Sequence, residues 1–364
     1  MMEGQPLQTH CTPRQFEFQG PGRREIVARF DGGRITSDGG VVLLGEVDRR
    51  RRIVERFATC FEDSREPGSV EHTVEELLRQ RLYALASGYE DLNDHDELRS
   101  DALLAAVVGK RDPEGRERKR ERDRGAALAG KSTLHRLEWG VAGQADEDRY
   151  RRIAISAEAV DRFFVDVFLD SHASPPDKIV LDLDATDDPL HGEQEGRFFH
   201  GYYGHYCYLP LYVFCGRHLL CARLRRSNID AAAGSVEEVD RIVGQIREVW
   251  PEVSILVRAD SGFAREELMA WCEANGVDFC LGLARNSRLQ ARLAPALERA
   301  HELGEETGKP VRVFAEWQHE TLKTWSRKRR VIGKAEITHK GCLLYTSPSP
   351  RDRTHHRVCR LLLE

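Results

Sequence analysis

The sequence predicts an α/β protein. Its middle third is a mixed sheet flanked by helices, entered through a mostly helical N-terminal segment and left through the start of a β-rich stretch. Three observations predict this. Apolar residues alternate with polar ones in several short runs between residues 178 and 283. Apolar residues also recur at helical spacing in the intervening segments. The resulting order along the chain is strand, strand, strand, helix, strand, helix, strand.

Composition agrees with a folded protein. The 364 residues are 40% hydrophobic and 32% charged, with a formal net charge of -5. Length alone predicts about two or three domains. No stretch approaches the ~18 apolar residues that a membrane helix needs. The polar start Met1 to Arg14 lacks a signal peptide's apolar core, so the expected location is the cytoplasm. The nine cysteines form no Cys-x-x-Cys pair, and the expectation for them is buried, reduced thiols. A net acidic chain does not advertise nucleic-acid binding. Basic residues nevertheless cluster at Arg49 to Arg52, Lys110 to Arg124 and Lys323 to Arg330, and a DNA-binding protein needs a basic face rather than a basic average.

Residues 1–25 read as an N-terminal arm. Ile26 to Phe30 reads as a strand and Asp31-Gly32-Gly33 as a tight turn. Ser37-Asp38-Gly39-Gly40 precedes an apolar run from Val41, which predicts a helix start capped by a small polar side chain. Glu71 to Ala86 reads as a helix with Val74, Leu77, Leu78, Leu82 and Leu85 on one side. Lys110 to Arg124, with eight basic and five acidic residues, reads as a solvated loop or charged helix surface, the alternative being a DNA-contacting arm.

Lys178 to Thr186 is the first strand of the middle region. Ile179, Leu181 and Leu183 point one way, and Val180, Asp182 and Asp184 the other. Tyr206 to Phe214 and His218 to Leu224 are two more strands, joined at Cys215-Gly216-Arg217. A helix follows, with Ser235 and Glu238 spaced as a capping box. Val253 to Ala259 is the fourth strand, Ala264 to Ala274 a helix closed by Asn275-Gly276, and Val277 to Leu283 the fifth strand. This order is that of ribonuclease H-like domains.

In such a sheet the first and fourth strands are neighbours. Cutting a phosphodiester with water calls for two Mg²⁺ ions about 4 Å apart, and Mg²⁺ prefers hard oxygen ligands. Asp184 lies on the first strand and Asp260 follows the fourth, 76 residues later. They are the candidate catalytic and metal-binding acids. Asp182 shares a face with Asp184 and is a further candidate, either as a ligand itself or as a support for one. Asp187 and Asp188 lie beyond the strand and read as solvated loop acids.

At these residues the sequence resembles a known family. Leu181-Asp182-Leu183-Asp184-Ala185-Thr186, continued by Phe198-Phe199-His200-Gly201-Tyr202-Tyr203, resembles the first acidic motif of DDE transposases of the insertion-sequence 1380 family. Arg258-Ala259-Asp260-Ser261-Gly262-Phe263 resembles the second. The resemblance runs from about residue 20 to about residue 340. It implies cut-and-paste or related transposition of a bacterial insertion sequence, with Asp184 and Asp260 as the first two acids of a triad holding Mg²⁺ or Mn²⁺. It implies DNA as partner, both transposon ends and target, and a homodimer or higher assembly on it. It also places the aromatic run Phe198 to Tyr206 near the acids.

The family's third acid is a Glu on a helix beyond a strand-rich insertion. Val311 to Glu336 resembles the start of that insertion, and Glu316, Glu320 and Glu336 inside it are poor substitutes. Cys342 to Asp352 resembles a translated sequencing adapter, so residues 342–364 are expected to be a non-native tail. The implied domains are an arm (1–25), a mostly helical DNA-binding domain (26–170), a ribonuclease H-like core (171–290), the start of a β-rich insertion (291–341) and the tail. The chain is then expected to lack the third acid and to be inactive. The alternative is a fragment that binds DNA or a partner without cutting.

Gly125 to Ser132 matches the phosphate-binding loop pattern Gly-x-x-x-x-Gly-Lys-Ser. That pattern works between a buried strand and a helix. The charged Arg120 to Arg124 before it cannot be a buried strand, so no nucleotide is expected there. Ser132 or Thr133 capping a helix is the expected use.

Overall fold

The computed structural model describes residues 15–19, 25–29, 36, 38–139, 152–337 and 360–363. The chain divides into two units, Met1–Val160 and Asp161–Glu364.

In the first unit β1 (Gln15–Gln19) and β2 (Glu25–Arg29) pair antiparallel. The turn expected at Asp31-Gly32-Gly33 lies outside the described residues. Helices α1 (Val41–Arg51) and α2 (Ile53–Ala58) follow, then β3 (Phe61–Asp63), α3 (Val74–Ala86), α4 (His95–Leu98), α5 (Ala102–Val108), α6 (Lys131–Glu138) and β4 (Ile153–Ile155), the last pairing with β3. Thr73 and Glu76 cap α3 reciprocally, each side chain taking the other's free backbone N–H. Leu77, Leu78, Leu104, Leu128 and Leu134 form the buried apolar centre.

The buried Asp48 ties three elements of this unit together. It accepts from the Val54 N–H at 2.7 Å, from Arg79 at 3.0 Å and from the Tyr83 hydroxyl at 2.8 Å. A buried carboxylate is tolerated when its lone pairs are filled in this way.

Two capping expectations fail here. The residue before α1 is Gly40, with no side-chain cap, because Asp38 instead accepts from the Tyr89 hydroxyl at 2.8 Å. The residue before α6 is Gly130, also without a side-chain cap, so neither Ser132 nor Thr133 serves. Lys131 pairs with Asp96 and Asn93. What precedes it is a 3-10 turn at Glu121–Asp123 and not a strand, which removes the context a phosphate loop requires.

The charged segment Lys110 to Arg124 is more tied down than its composition implies. Arg118 is largely buried, pairs with Glu71 at 2.8 Å and donates to the Ala127 carbonyl at 3.1 Å.

In the second unit, α7 (Ala157–Asp170) opens just before the division. Its Val165, Phe168 and Leu169 are buried in the core of the sheet that follows. The domain boundary expected at residue 170 therefore falls about ten residues early, because the apolar face of this helix packs with what comes after it.

Next are β5 (Lys178–Ala185), the short β6 (Asp188–Pro189), β7 (Phe198–His200), β8 (His205–Tyr208), β9 (Leu211–Cys215) and β10 (His218–Arg223). Helix α8 (Ser235–Val249), β11 (Ser254–Ala259), α9 (Glu266–Ala274) and β12 (Asp278–Gly282) follow. The chain continues as α10 (Ser287–Thr307), β13 (Val311–His319) and β14 (Arg329–Ile337), with β15 at Arg360–Leu363.

Among the described residues the main sheet has eight strands, in the order β10-β9-β5-β11-β12-β15-β14-β13. Strands β10, β9 and β5 are antiparallel neighbours, while β11 runs parallel to β5 and to β12. The parallel step from β5 to β11 needs a crossover, and α8 lies within it. A separate three-stranded sheet, β6-β8-β7, sits within the β5 to β9 connection.

Several expectations are revised by this unit. Tyr206 to Phe214 is two strands rather than one: Leu209-Pro210 breaks it, since proline cannot donate to a ladder. The capping box at Ser235 and Glu238 does not form. Gly234, at φ 76°, precedes α8, and Glu238 instead holds Arg223 and Arg241.

The stretch taken as β-rich from residue 291 opens with the 21-residue α10, started by Asn286 accepting from the Leu289 N–H at 3.0 Å. Its Leu293, Ala296 and Ala300 pack on the hairpin of β13 and β14. Within the tail set apart on sequence grounds, Arg360–Leu363 pairs with β12 and β14. The basic run ending at Arg330 is largely neutralised: Arg327 and Arg329 meet Glu273, Arg329 also meets Glu266, Lys328 meets Glu320 and Arg330 meets Glu316.

Among the described residues the cysteines are free, and Cys60, Cys207, Cys221 and Cys272 are buried. No described helix is long and apolar enough to cross a membrane.

Candidate active site

Strand β5 alternates as its sequence dictates. Ile179, Leu181 and Leu183 are buried, and Asp182 and Asp184 fall on the other face. Its parallel pairing with β11 runs from Ser254 beside Lys178 to Ala259 beside Leu183. One further step sets Asp184 beside Asp260, on strands about 4.8 Å apart. Both acids are solvent-exposed.

The electrostatics record that proximity. Partial burial, and then the charge of Asp260, raise the Asp184 carboxyl above its ordinary value. Two carboxylates held side by side repel, and a shared cation removes that repulsion. The pair therefore fits a hard divalent ion, with Asp184 and Asp260 as oxygen donors.

Asp260 is held in place from its C-terminal side. Its Oδ1 accepts from the Gly262 N–H at 2.8 Å, an Asx turn that leads into a 3-10 turn at Ser261–Phe263. On its other flank is Gly282, the last residue of β12. A Cβ at Gly282 would lie 2.9 Å from the Ser261 nitrogen and 3.2 Å from the Asp260 carbonyl carbon. Sequence reading passed over Gly282, although a glycine inside an apolar strand is a known sign of close backbone approach.

Asp182 stands one pleat back from Asp184 and is engaged otherwise. It faces Arg258 across the same ladder, and the guanidinium bonds both its oxygens, at 2.5 Å and 2.8 Å. Both oxygens of Asp182 are thus engaged by one guanidinium. Arg258 was legible as part of a motif but not as the partner of Asp182.

The loop after β5 brings in the aromatic run. The Tyr203 hydroxyl donates to the Ala185 carbonyl at 3.3 Å, next to Asp184. Burial pushes the Tyr203 phenol up to about 12, with the charges of Asp187, Asp184 and Asp260 adding to it. Asp187, read as a solvated acid, has its Oδ2 2.7 Å from His205 Nε2. Asp188 is exposed in β6.

The remaining acids of interest lie on β13 and β14 or in the turn between them. Glu316 on β13 pairs with Arg330, and the buried Glu336 on β14 with Arg312 and Lys334. Glu320 lies near Lys328. Among the described residues, no three His, Cys, Asp or Glu side chains gather as a metal-binding group.

A family model described as Transposase DDE domain group 1 matches residues 18–346. The chain belongs to the DDE transposase family. The match takes in both the helical unit and the strands that carry Asp184 and Asp260. Among solved structures, this DDE transposase chain is similar to the cryo-EM structure of piggyBac transposase synaptic complex with hairpin DNA. The identity is 11% and the TM-score 0.31, covering 81% of this chain and 61% of that one. The chain thus spans less than two thirds of the length of that protein. No curated protein matches the chain.

Proposed function

We propose that this chain is the greater part of a bacterial insertion-sequence transposase of the 1380 type. In this reading the sheet is ribonuclease H-like and Asp184 and Asp260 are the first two acids of the catalytic set. The order β10-β9-β5-β11-β12, with the crossover after the third strand, supports the fold assignment. The observation that carries the functional reading is the placement of Asp184 beside Asp260 at the ends of two parallel strands, each solvent-exposed.

The reaction in this reading is hydrolysis of a phosphodiester at the transposon end, followed by attack of the freed 3′-OH on target DNA. A divalent cation, Mg²⁺ or Mn²⁺, would supply Lewis-acid activation of the attacking oxygen and stabilisation of the leaving one. Asp184 and Asp260 would hold it. Arg258 keeps Asp182 from competing, and the Gly262 N–H fixes the orientation of Asp260. The first unit is assigned DNA contact, with Arg49, Arg50 and Arg52 exposed although paired with Glu46 and Glu55, and a dimer or larger assembly is expected on the DNA.

A third acid is assigned to sequence outside this chain. Glu316, Glu320 and Glu336 are engaged with basic partners far along the sheet, and none joins the Asp184–Asp260 pair. A two-acid set favours binding of metal and DNA without completed cutting.

Mn²⁺ titration followed by electron paramagnetic resonance tests the reading. Asp184→Asn and Asp260→Asn should each weaken binding by about 100-fold or more, as loss of a direct ligand should exceed the 10–100-fold range for loss of a supporting contact. Asp182→Asn should weaken it less than either, because both Asp182 oxygens are taken up by the Arg258 guanidinium and give nothing to the ion. Equal affinity in the Asp184 and Asp260 variants and the parent would sink the assignment. Joined to the downstream sequence of the uninterrupted gene, the chain should cut transposon-end DNA and lose that activity with Asp260→Ala.

A further inference from the structure

The hairpin that rises beside Asp184 carries more exposed aromatic surface than a solvated loop requires. Phe199 is 58% exposed, Tyr202 73% and Tyr206 47%. Large apolar side chains scattered singly on a surface are ordinary, whereas clustered ones mark a contact surface. Here they cluster. Phe199 and Tyr206 face each other across the β7–β8 ladder, ring centroids 5.6 Å apart, edge to face. The Arg197 guanidinium lies over the Tyr206 ring, 4.7 Å from its centroid. At the hairpin tip, the Tyr202 ring sits 5.0 Å from that of Tyr203.

The hairpin is also anchored to the acids. Tyr203 donates to the carbonyl of the residue after Asp184, and His205 lies against Asp187. The opposite face of the ladder is inward: Cys207 is fully buried, and the Ser227 hydroxyl donates to the Phe198 carbonyl at 3.0 Å. The exposed rings are therefore presented on a fixed arm and not on a free loop.

We propose that Tyr202, Phe199 and Tyr206 form a stacking platform for unpaired nucleobases of a DNA strand whose backbone runs past the cation that Asp184 and Asp260 would hold. Every base has a π-face, so such a platform reads strand separation and not sequence. Arg197, which also bonds the Gly192 carbonyl and lies 3.8 Å from Glu193, adds a flat cationic surface to the aromatic ones through its stack on Tyr206, which an aliphatic patch would not require. Tyr202, next to Tyr203, would take the base closest to the acids. The Phe199–Tyr206 pair would take bases further along. The inference rests on the DNA-cutting reading but adds to it the form of the DNA: a melted or overhanging end in preference to a closed duplex.

The experiment uses the full chain and a short duplex with a single-stranded overhang carrying 2-aminopurine, whose fluorescence is quenched on stacking. A blunt duplex serves as control. The parent chain should quench the probe. Tyr202→Ala and Tyr206→Ala should each weaken overhang binding by about 10-fold, the effect of losing one stacked base. Blunt-duplex affinity should stay the same, and Tyr206→Phe should keep the quench. Circular dichroism checks that the variants fold. Unchanged overhang affinity in both alanine variants overturns the proposal. So does an equal loss on overhang and blunt DNA, or a change in self-association with DNA binding intact. Asp184→Asn should keep the quench while losing Mn²⁺, so failure of the metal reading and failure of the platform give different results.

Discussion

Gly282 lies directly against the backbone of Asp260, closely enough that a single added methyl would meet the Ser261 nitrogen at 2.9 Å. The contact is with main chain, which cannot rotate away as a flexible side chain can. Gly282→Ala should therefore push the Asp260 turn outward. The expected cost is about 1–3 kcal/mol of stability, the usual range for overpacking. Mn²⁺ affinity should fall by roughly 10-fold, because a ligand displaced from its supports binds weakly. Chemical denaturation and metal titration on the same variant check both. Unchanged metal affinity would mean that Asp260 is not braced from this side.

Arg329 is a second point where one side chain organises two elements. Its guanidinium, 2% exposed, joins β14 to α9 by bonding Glu266 and Glu273. Arg329→Met leaves two acids facing an apolar group, and should cost roughly 3 kcal/mol or more, as breaking a buried pair does. The hydrogen bond from Arg329 also holds the Glu266 carboxyl at about 2, below its ordinary 4.5. The folded state thus binds a proton less readily than the unfolded one. This contribution is complete above about pH 4.5 and is lost as the pH falls towards 2. Thermal melts across that interval should show a shallower acid decline for Glu266→Gln than for the parent.

His72 sets a different acid limit in the first unit. It is buried, and Arg118 lies 2.9 Å from its Nε2. An arginine can only donate, so that nitrogen must accept and the imidazole must be neutral. Burial, then the nearby Lys110, Arg118 and Arg65, lower its pKa from 6.5 to about 3. Unfolded His72 takes up a proton as the pH drops below 6.5, and folded His72 does not. Its stabilising effect is therefore full above pH 6.5 and declines between 6.5 and 3. Amide exchange should show α3 opening more readily at pH 5 than at pH 7, while β5 and β11 hold. His72→Gln should flatten that response, and equal pH dependence in parent and variant would contradict it.

Much of this was readable from sequence for definite reasons. β5 and β12 alternate with a period of two and were placed to within a residue or so. α3 carries the apolar stripe expected of it, while its start at Val74, three residues past the expected Glu71, is set by the Thr73–Glu76 cap. The neighbouring positions of Asp184 and Asp260 were expected from strand order together with the resemblance to transposases. What stayed hidden depends on contacts between distant residues. Ser235 and Glu238 have capping-box spacing, but Arg223 and Arg241 compete for the same carboxylate and win. Asp182 stays a secondary candidate beside Asp184 in the sequence, and only the fold shows Arg258 opposite it. Helix α10 contains Pro295, which the sequence would read as a helix breaker at a cost of about 3 kcal/mol, and its apolar face gains the packing on β13 and β14 that offsets this only once the hairpin is formed.

The crossover between β5 and β11 has a bearing on timing. Asp184 and Asp260 are 76 residues apart and meet only through parallel pairing, so contacts of high sequence separation must close before the two carboxylates coincide. A chain still emerging from the ribosome, or one opened locally between these strands, has its acids far apart. In the proposed reading, the capacity to grip a cation is then a property of the finished fold alone, and a half-made chain holds two separated carboxylates in place of one site.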